Sequence, residues 1–337
     1  MWLRRFVAAL GLSALLLGGP ALGAEERDFL AAVLYSAGGK FDRGFNESIF
    51  EGIARFTSET SEAYLEEGIK DDDDRERSLR ALVERGATDV IVADDKQAEA
   101  LKVVAREFPD VRFTIIDAAV ADLPNVRSVV FKEEEGSFLV GILAALASKT
   151  GSIGFVGGMD IPLIRNFACG YAQGAKHVRP DITVLQAMTG TTPAAWANPQ
   201  RGGSLARLQF DSGADVVYAA AGLTSLGVYQ AAVAASRLAI GVDTNQNYLH
   251  PGTMLTSMYK RVDLAAYDSL MDAFNGEWTP GIERLGLFEG AVGYALDQHN
   301  WPLMTPEMIN AVEAAMVGIA NGSIKVVDYR DANACPY

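Results

Sequence analysis

Two distant stretches, 86-GATDVIVAD-94 and 213-GADVVYAA-220, repeat one short pattern: a Gly-Ala turn that delivers an apolar, β-branched run. Each belongs to a longer cadence. Strand-like runs begin near Phe29, Glu62, Asp89 and Phe113, and again near Ile153, Ile182, Asp215 and Leu238. Between them apolar residues recur at helical spacing, as in Phe45, Ile49, Ile53 and Phe56, or Leu101, Val104 and Ala105. Steps of about 25–33 residues suit one strand, one helix and their connections. Strands that alternate with helices pair in parallel, with helices covering both faces of the sheet. A cadence that occurs twice predicts an α/β chain of two doubly wound parallel-sheet lobes.

The tail of the sequence does not continue either set. The segment 254-MLTSMYKRVDLAAYDSLMDAFNG-276 reads as a strand and then a helix. After it come 282-IERLGLFEGAVGYA-295 and a last helix from Thr305 to Ala320. No linker rich in Ser, Gly or Pro separates the sets, and the join near Pro124 to Val130 is itself strand-like. A chain that crosses between the lobes several times accounts for the surplus. The expected partition is 25–124 with 257–282 for the N-terminal lobe, and 125–256 with 283–337 for the C-terminal lobe.

The first 24 residues are set apart. Arg4 and Arg5 precede an apolar run from Phe6 to Leu17, and 18-GGPALGA-24 supplies small residues for a cut. This order is that of a cleavable signal peptide; the apolar run is shorter than the roughly 20 residues of a membrane span. An exported, periplasmic protein is expected, and no cysteine lies near the cut to suggest lipid attachment. The formal net charge of −14 disfavours a nucleic-acid partner, which rewards clustered Lys and Arg. Cys169 and Cys335 exclude a zinc ribbon and a cysteine-rich scaffold. An oxidising compartment and an even count allow them to pair, whereas the helical setting of Cys169 also suits a small buried thiol.

Catalytic and metal chemistry lack their parts. His177, His250 and His299 have no partner at ligand spacing, and no G-x-S-x-G elbow appears. Glycine runs such as 154-GFVGG-158 do not form a dinucleotide fingerprint at the first strand of either set. The run 71-DDDD-74 lacks the alternating ligands of a calcium loop and reads as a solvated loop before a helix. No cofactor and no metal are expected, and binding is favoured over catalysis.

In doubly wound sheets ligands sit beyond the carboxyl ends of strands. The first strand is followed by 36-SAGGKFDRGFNES-48, where Gly38 and Gly39 permit a bend, and the fourth by Asp117. In the second set the ends lead to Gly158, Asp160 and Phe167, to 189-TGTTPAAWANP-199, to 221-AGLTSLG-227 and to 243-DTNQN-247. Small, polar and aromatic residues gather there, as a cleft for a small, flat, polar ligand requires.

The segments 42-DRGFNES-48, 115-IID-117, 222-GLTSLGVYQAA-232, 241-GVDTNQ-246 and 256-TSMYKRVD-263 together resemble the basic membrane protein family, the substrate-binding components of ABC importers, several of which take purine nucleosides. The resemblance runs over essentially the whole chain after the signal peptide. It implies a type I periplasmic-binding-protein architecture with three hinge crossovers, a purine-nucleoside-type ligand in the interlobe cleft, and an ABC permease and ATPase as partners to a monomer. Position by position it implies that Phe45 stacks on the base with Asn46 beside it, and that Asp117 and Asp243 accept from ribose hydroxyls. Lys260 matches a lysine at the site's edge, Gly222 a glycine-rich loop near the ligand, and Trp196 a second aromatic. At Ser36 the chain departs from purine-binding members, which often carry an acidic residue there.

Each assignment has a plainer counterpart. Phe45 is in phase with Ile49 as a core residue of its helix. Asp42 suits a helix cap better than a ligand contact. Asp117 and Asp243 also suit turns. A sugar-binding or chemoreceptor-linked sensor protein of the same fold, or a periplasmic nucleoside-processing enzyme, are the alternative functions. One test concerns the N-terminus: the intact mass of exported protein is expected to lack about 23 or 24 residues. A mature species that retains Met1 contradicts the cleavable-signal reading and the localisation built on it.

Overall fold

All eight strands of the repeated cadence form. The structure, a computed structural model, describes residues 29–69 and 74–337. The signal segment and Asp71, Asp72 and Asp73 lie outside the described residues. The chain begins β1 (Ala31–Tyr35), α1 (Phe45–Thr60), β2 (Tyr64–Gly68), α2 (Arg75–Glu84), β3 (Asp89–Ala93), α3 (Ala98–Glu107), β4 (Arg112–Ile116) and β5 (Val126–Phe131). It continues α4 (Glu133–Ala147), β6 (Ser152–Met159), α5 (Pro162–Val178), β7 (Thr183–Gly190), α6 (Pro199–Asp211), β8 (Val216–Ala220), α7 (Ser225–Ala235) and β9 (Leu238–Asp243). The surplus segments become β10 (Met254–Lys260), α8 (Val262–Asn275), β11 (Gly281–Leu285), β12 (Val292–Tyr294), α9 (Pro306–Ala320) and the short α10 (Tyr329–Ala332).

Two six-stranded sheets result, ordered β11-β5-β4-β3-β1-β2 and β12-β10-β9-β8-β6-β7. The central strands β1, β3, β4 and β8 are buried along their whole length and are mostly apolar, with Asp89 of β3 and Arg112 of β4 paired to each other. The edge strand β2 carries Glu66 and Glu67 and stays partly exposed. All pairings in the first sheet are parallel. In the second, β12 runs antiparallel to β10, a departure from the purely parallel expectation. It is a three-residue edge strand entered directly from the other lobe, so no crossover helix turns it round.

Strand pairing moves the lobe boundaries. β5 pairs with β4, so the first crossing follows Phe131 rather than residue 124. β10 pairs with β9 as far as Tyr259, so the second follows Lys260 rather than residue 256. β11 pairs with β5 through Leu285, which shifts the third beyond residue 282. A buried apolar strand suits either sheet, and only its partner assigns it. The result is the two-lobed type I periplasmic-binding-protein architecture, crossed three times.

In the second lobe, α4 and α5 approach closely enough that a Cβ at Gly141, Gly170 or Gly174 would strike the facing backbone. Glycine there is a packing requirement, and it fixes α5 against the first crossover. Cys169, buried on α5, is bonded to Cys335 with their Cα atoms 5.6 Å apart. The pair closes a separation of 166 residues, so the cross-link restricts the unfolded chain strongly. Denatured, unreduced protein is therefore expected to show no titratable thiol. Reduction, or Cys335→Ser, should lower the unfolding free energy by about 2–4 kcal/mol in urea titrations. Two reactive thiols in the unreduced chain would contradict the pairing.

Candidate functional site

The carboxyl ends of the two sheets face a partly open cavity lined from both lobes. The first lobe contributes Ser36, Asp42, Phe45, Asp94, Asp95 and Asp117. The second contributes Phe167, Trp196, Gly222, Asp243 and Lys260. Of the residues expected at the site, Asn46 alone does not reach the cavity wall.

The loop after β1 explains why. Gly38 and Gly39 take φ values of 118° and 84°, a region open mainly to glycine, and fold the loop over α1. Asn46 is wholly buried beneath it. Its Oδ1 accepts from the Ser36 N–H and hydroxyl, both at 3.1 Å, and its Nδ2 donates to the Gly39 carbonyl at 3.2 Å. Asn46 therefore shapes the loop, because its polar atoms are engaged by backbone and Ser36. Asp42 accepts from the backbone N–H groups of Gly44, Asn46 and Glu47 at 2.9, 3.1 and 3.2 Å. It caps α1 as expected, and it also faces the cavity. Lys40 pins the outer side of the loop to Glu66 at 2.6 Å and lies 4.0 Å above the Phe50 ring. Phe45, at the first position of α1, is half-buried, packed against the core on one side and lining the cavity on the other.

The floor is ionic. Lys260, expected at the site's edge, lines the cavity and is 2% exposed. The end of β10 carries it inward, where Nζ lies 2.6 Å from Asp117 Oδ2 and 3.7 Å from Glu133 Oε1. The rings of Phe45, Phe131 and Phe167 surround the same ammonium at 5.1, 5.4 and 5.5 Å. Burial alone would lower its pKa, but Asp117, Glu133 and Asp243 outweigh burial and raise it. Asp117 Oδ1 is buried without a hydrogen-bond partner among the described residues. Asp243 accepts no hydrogen bond from them either, and burial pushes its carboxyl up to about 7, against the pull of Lys260.

Asp94 and Asp117 directly follow β3 and β4, and Asp243 ends β9, with φ values of 87°, 72° and 67°. Positive φ is uncommon outside glycine, though aspartate tolerates it better than most residues, and all three residues line the cavity. Asp94 and Asp95 are additions to the expected set; in sequence they look like an ordinary helix start. Burial raises the Asp94 pKa, and the adjoining Asp95 raises it further. Phe167, expected beyond the first strand of the second set, also lines the cavity, buried on the first turns of α5. Trp196 packs against Gly158, where any Cβ would strike its ring, and Gly222, at φ 56°, lies against its backbone. The arrangement offers aromatic faces from both lobes and a surplus of acceptors.

The sequence model for the Bmp family, described as ABC transporter substrate-binding protein PnrA-like, matches residues 29–327. This chain belongs to the Bmp family. Among its Bmp relatives is the "ABC transporter nucleoside-binding protein BmpA" of Lactococcus lactis, 30% identical over 90% of both chains. An uncharacterized lipoprotein of Pyrococcus abyssi is 32% identical over 82% of this chain and 71% of its own length. The crystal structure of an ABC transporter solute-binding protein from Aeropyrum pernix superposes with a TM-score of 0.82 at 27% identity, covering 89% and 93% of the two chains. Bmp proteins are an extracytoplasmic family of substrate-binding proteins rather than enzymes. Some relatives are named lipoproteins, whereas the cysteines of this Bmp protein are at 169 and 335.

The raised carboxyl has a consequence for stability. Asp243 ionises near 3.8 when unfolded and at about 7 when folded, so the folded chain holds the proton more tightly. Its stabilising contribution is full below the lower value and is lost as pH rises through the upper one. Asp243→Asn removes that loss. Ligand-free wild type should therefore become less stable than Asp243→Asn, on the order of 2–4 kcal/mol by about pH 8. Parallel pH–stability curves for the two proteins would refute the assignment.

Proposed function

We propose that this Bmp protein is the periplasmic substrate-binding component of an ABC importer and that it closes its lobes on a purine-type nucleoside. One observation carries the reading: a single cavity combines aromatic faces from both lobes with unpartnered carboxylate oxygens beside a buried lysine. A nucleoside has both complements, a flat base and a pair of vicinal hydroxyls. Phe45 stacks on one face of the base and Trp196 supports the other. Asp117 and Asp243 accept from the ribose hydroxyls, and charged acceptors make the stronger bonds. Lys260 offsets the mutual repulsion of these carboxylates as water leaves.

Ser36 carries no acid to meet the N–H donors of a base, and Asp94 and Asp95 line the cavity as alternative acceptors. The carboxylates of Asp42, Asp94, Asp95, Asp117 and Asp243 against one ammonium disfavour phosphorylated ligands. The nucleoside-binding name of the Lactococcus relative supports the same class. Two lobes hinged at crossovers suit closure around a ligand and presentation of the closed form to a permease and its ATPase. A monomer suffices for that task.

Calorimetric titration with inosine, guanosine, adenosine and free ribose tests the reading. Nucleosides should bind, with Phe45→Ala costing roughly 1–3 kcal/mol and Asp243→Ala roughly 1.5–3 kcal/mol. Binding of ribose without any nucleoside would remove the stacking role of Phe45 and make this a sugar-binding protein.

A further inference from the structure

The last ten residues follow the region matched by the family, and they pack against α5 and the first crossover. The tail lies along one face of α5, where Asn166, Cys169 and Gln173 are all buried. Asn166 Oδ1 accepts from the Tyr329 N–H at 2.8 Å. Gln173 exchanges two hydrogen bonds with the backbone of Val327, at 2.8 and 3.0 Å, and Cys169 holds Cys335 covalently. Three anchors on one helix face fix the tail's register, and between them the tail delivers Arg330.

The Arg330 guanidinium sits at the first crossover. It donates to the Phe131 carbonyl at 2.9 Å and lies 3.1 Å from Glu133 Oε2, 3.6 Å from Glu134 Oε2 and 2.8 Å from Asp328 Oδ2. Glu133 is wholly buried, and its other carboxylate oxygen faces Lys260 at 3.7 Å. Lys260 in turn holds Asp117 at 2.6 Å on the cavity floor. The charges alternate along this line: Arg330, Glu133, Lys260, Asp117.

We propose that Arg330 is a positioning residue for the ligand site, acting through Glu133 to keep Lys260 on Asp117. The reason is competition for one ammonium. Glu133 and Asp117 both face Lys260, which is their shared counterion. With Arg330 present, Glu133 has a cation of its own and Lys260 is free to commit to Asp117. Without Arg330, the fully buried Glu133 carboxylate keeps only the Asn166 amide besides Lys260, and draws that ammonium away from the cavity floor. A lone buried charge is strongly unfavourable, so the pull is large. Asp117 then loses the partner that sets its orientation toward the ligand. The tail, its disulfide and Arg330 form one device, in which α5 supplies the rail and the crossover supplies the receptor. Asn166 Nδ2 also donates to Glu134 Oε2 at 2.7 Å and Glu133 Oε2 at 3.3 Å, so the rail and the receptor share a residue.

A double-mutant cycle decides it, and the ligand arm rests on the nucleoside reading above. Wild type, Arg330→Gln, Glu133→Gln and the double variant are titrated with inosine and guanosine. Arg330→Gln removes the charge and keeps a shorter, polar side chain with two N–H donors. Arg330→Gln should weaken binding within the range of about 5- to 150-fold typical of coupled sites. In the Glu133→Gln background the same change should alter Kd by less than about twofold, because no carboxylate remains to compete for Lys260. Equal losses in both backgrounds would make the effect one of tail packing and overturn the proposal, as would unchanged affinity in Arg330→Gln. If wild type binds neither nucleoside, that reading fails separately, and the ligand-free protein still tests Arg330. Urea midpoints for Arg330→Gln, Lys260→Met and both should then be non-additive, because both cations serve Glu133. Additive shifts overturn the proposal.

Discussion

The ion pair between Lys260 and Asp117 joins the lobes at the point where they diverge. Asp117 follows β4 in one sheet and Lys260 ends β10 in the other, with 2.6 Å between their charged atoms. Neither group is tolerable alone at this depth, since an unpaired buried charge loses far more hydration than packing returns. The neighbouring groups are arranged around that fact. Three aromatic rings cover the ammonium, Glu133 balances it from behind, and Asp243 shares its field without a hydrogen bond of its own. The geometry of the cleft follows from keeping one lysine both dry and neutralised.

Such a site is costly when empty. Asp243 holds a raised pKa, and Asp117 leaves one oxygen without a partner among the described residues. A ligand that donates hydrogen bonds relieves both, so binding energy and folding energy are drawn from the same groups. The left-handed turns at Asp94, Asp117 and Asp243 belong to the same pattern. Local strain at strand ends is tolerated because the sheets behind them are buried and rigid.

Much of this was legible in the residues because parallel strands and amphipathic helices have different periods. Strand runs such as 89-DVIVA-93 and the α1 stripe through Ile49, Ile53 and Phe56 identify themselves without a partner. The crossovers were less legible, since 126-VRSVVF-131 is apolar enough for either sheet and only its pairing with Arg112–Ile116 places it. The site divides in the same way. Phe45, Asp117, Phe167 and Asp243 stand at or just beyond ends of recognisable strands, which is where a cleft is expected. Asp94 and Asp95 look like a helix cap, and Arg330 lies more than 60 residues beyond the last such strand end. Asn46 shows the opposite failure, because residue type alone cannot separate a side chain that meets ligand from one that holds the loop.

The order of strands in the first sheet bears on how the chain matures during synthesis. β5 is made early, yet its outer neighbour β11 lies about 150 residues further on, after the whole central part of the second sheet. Until Gly281–Leu285 emerges, the apolar strand 126-VRSVVF-131 presents an unpaired edge, the kind of surface that recruits foreign strands. When β11 docks, it replaces that edge with Glu283 and Arg284. The first lobe thus reaches its finished state only once the second is nearly complete, and the nascent chain must be shielded from its neighbours for most of that interval.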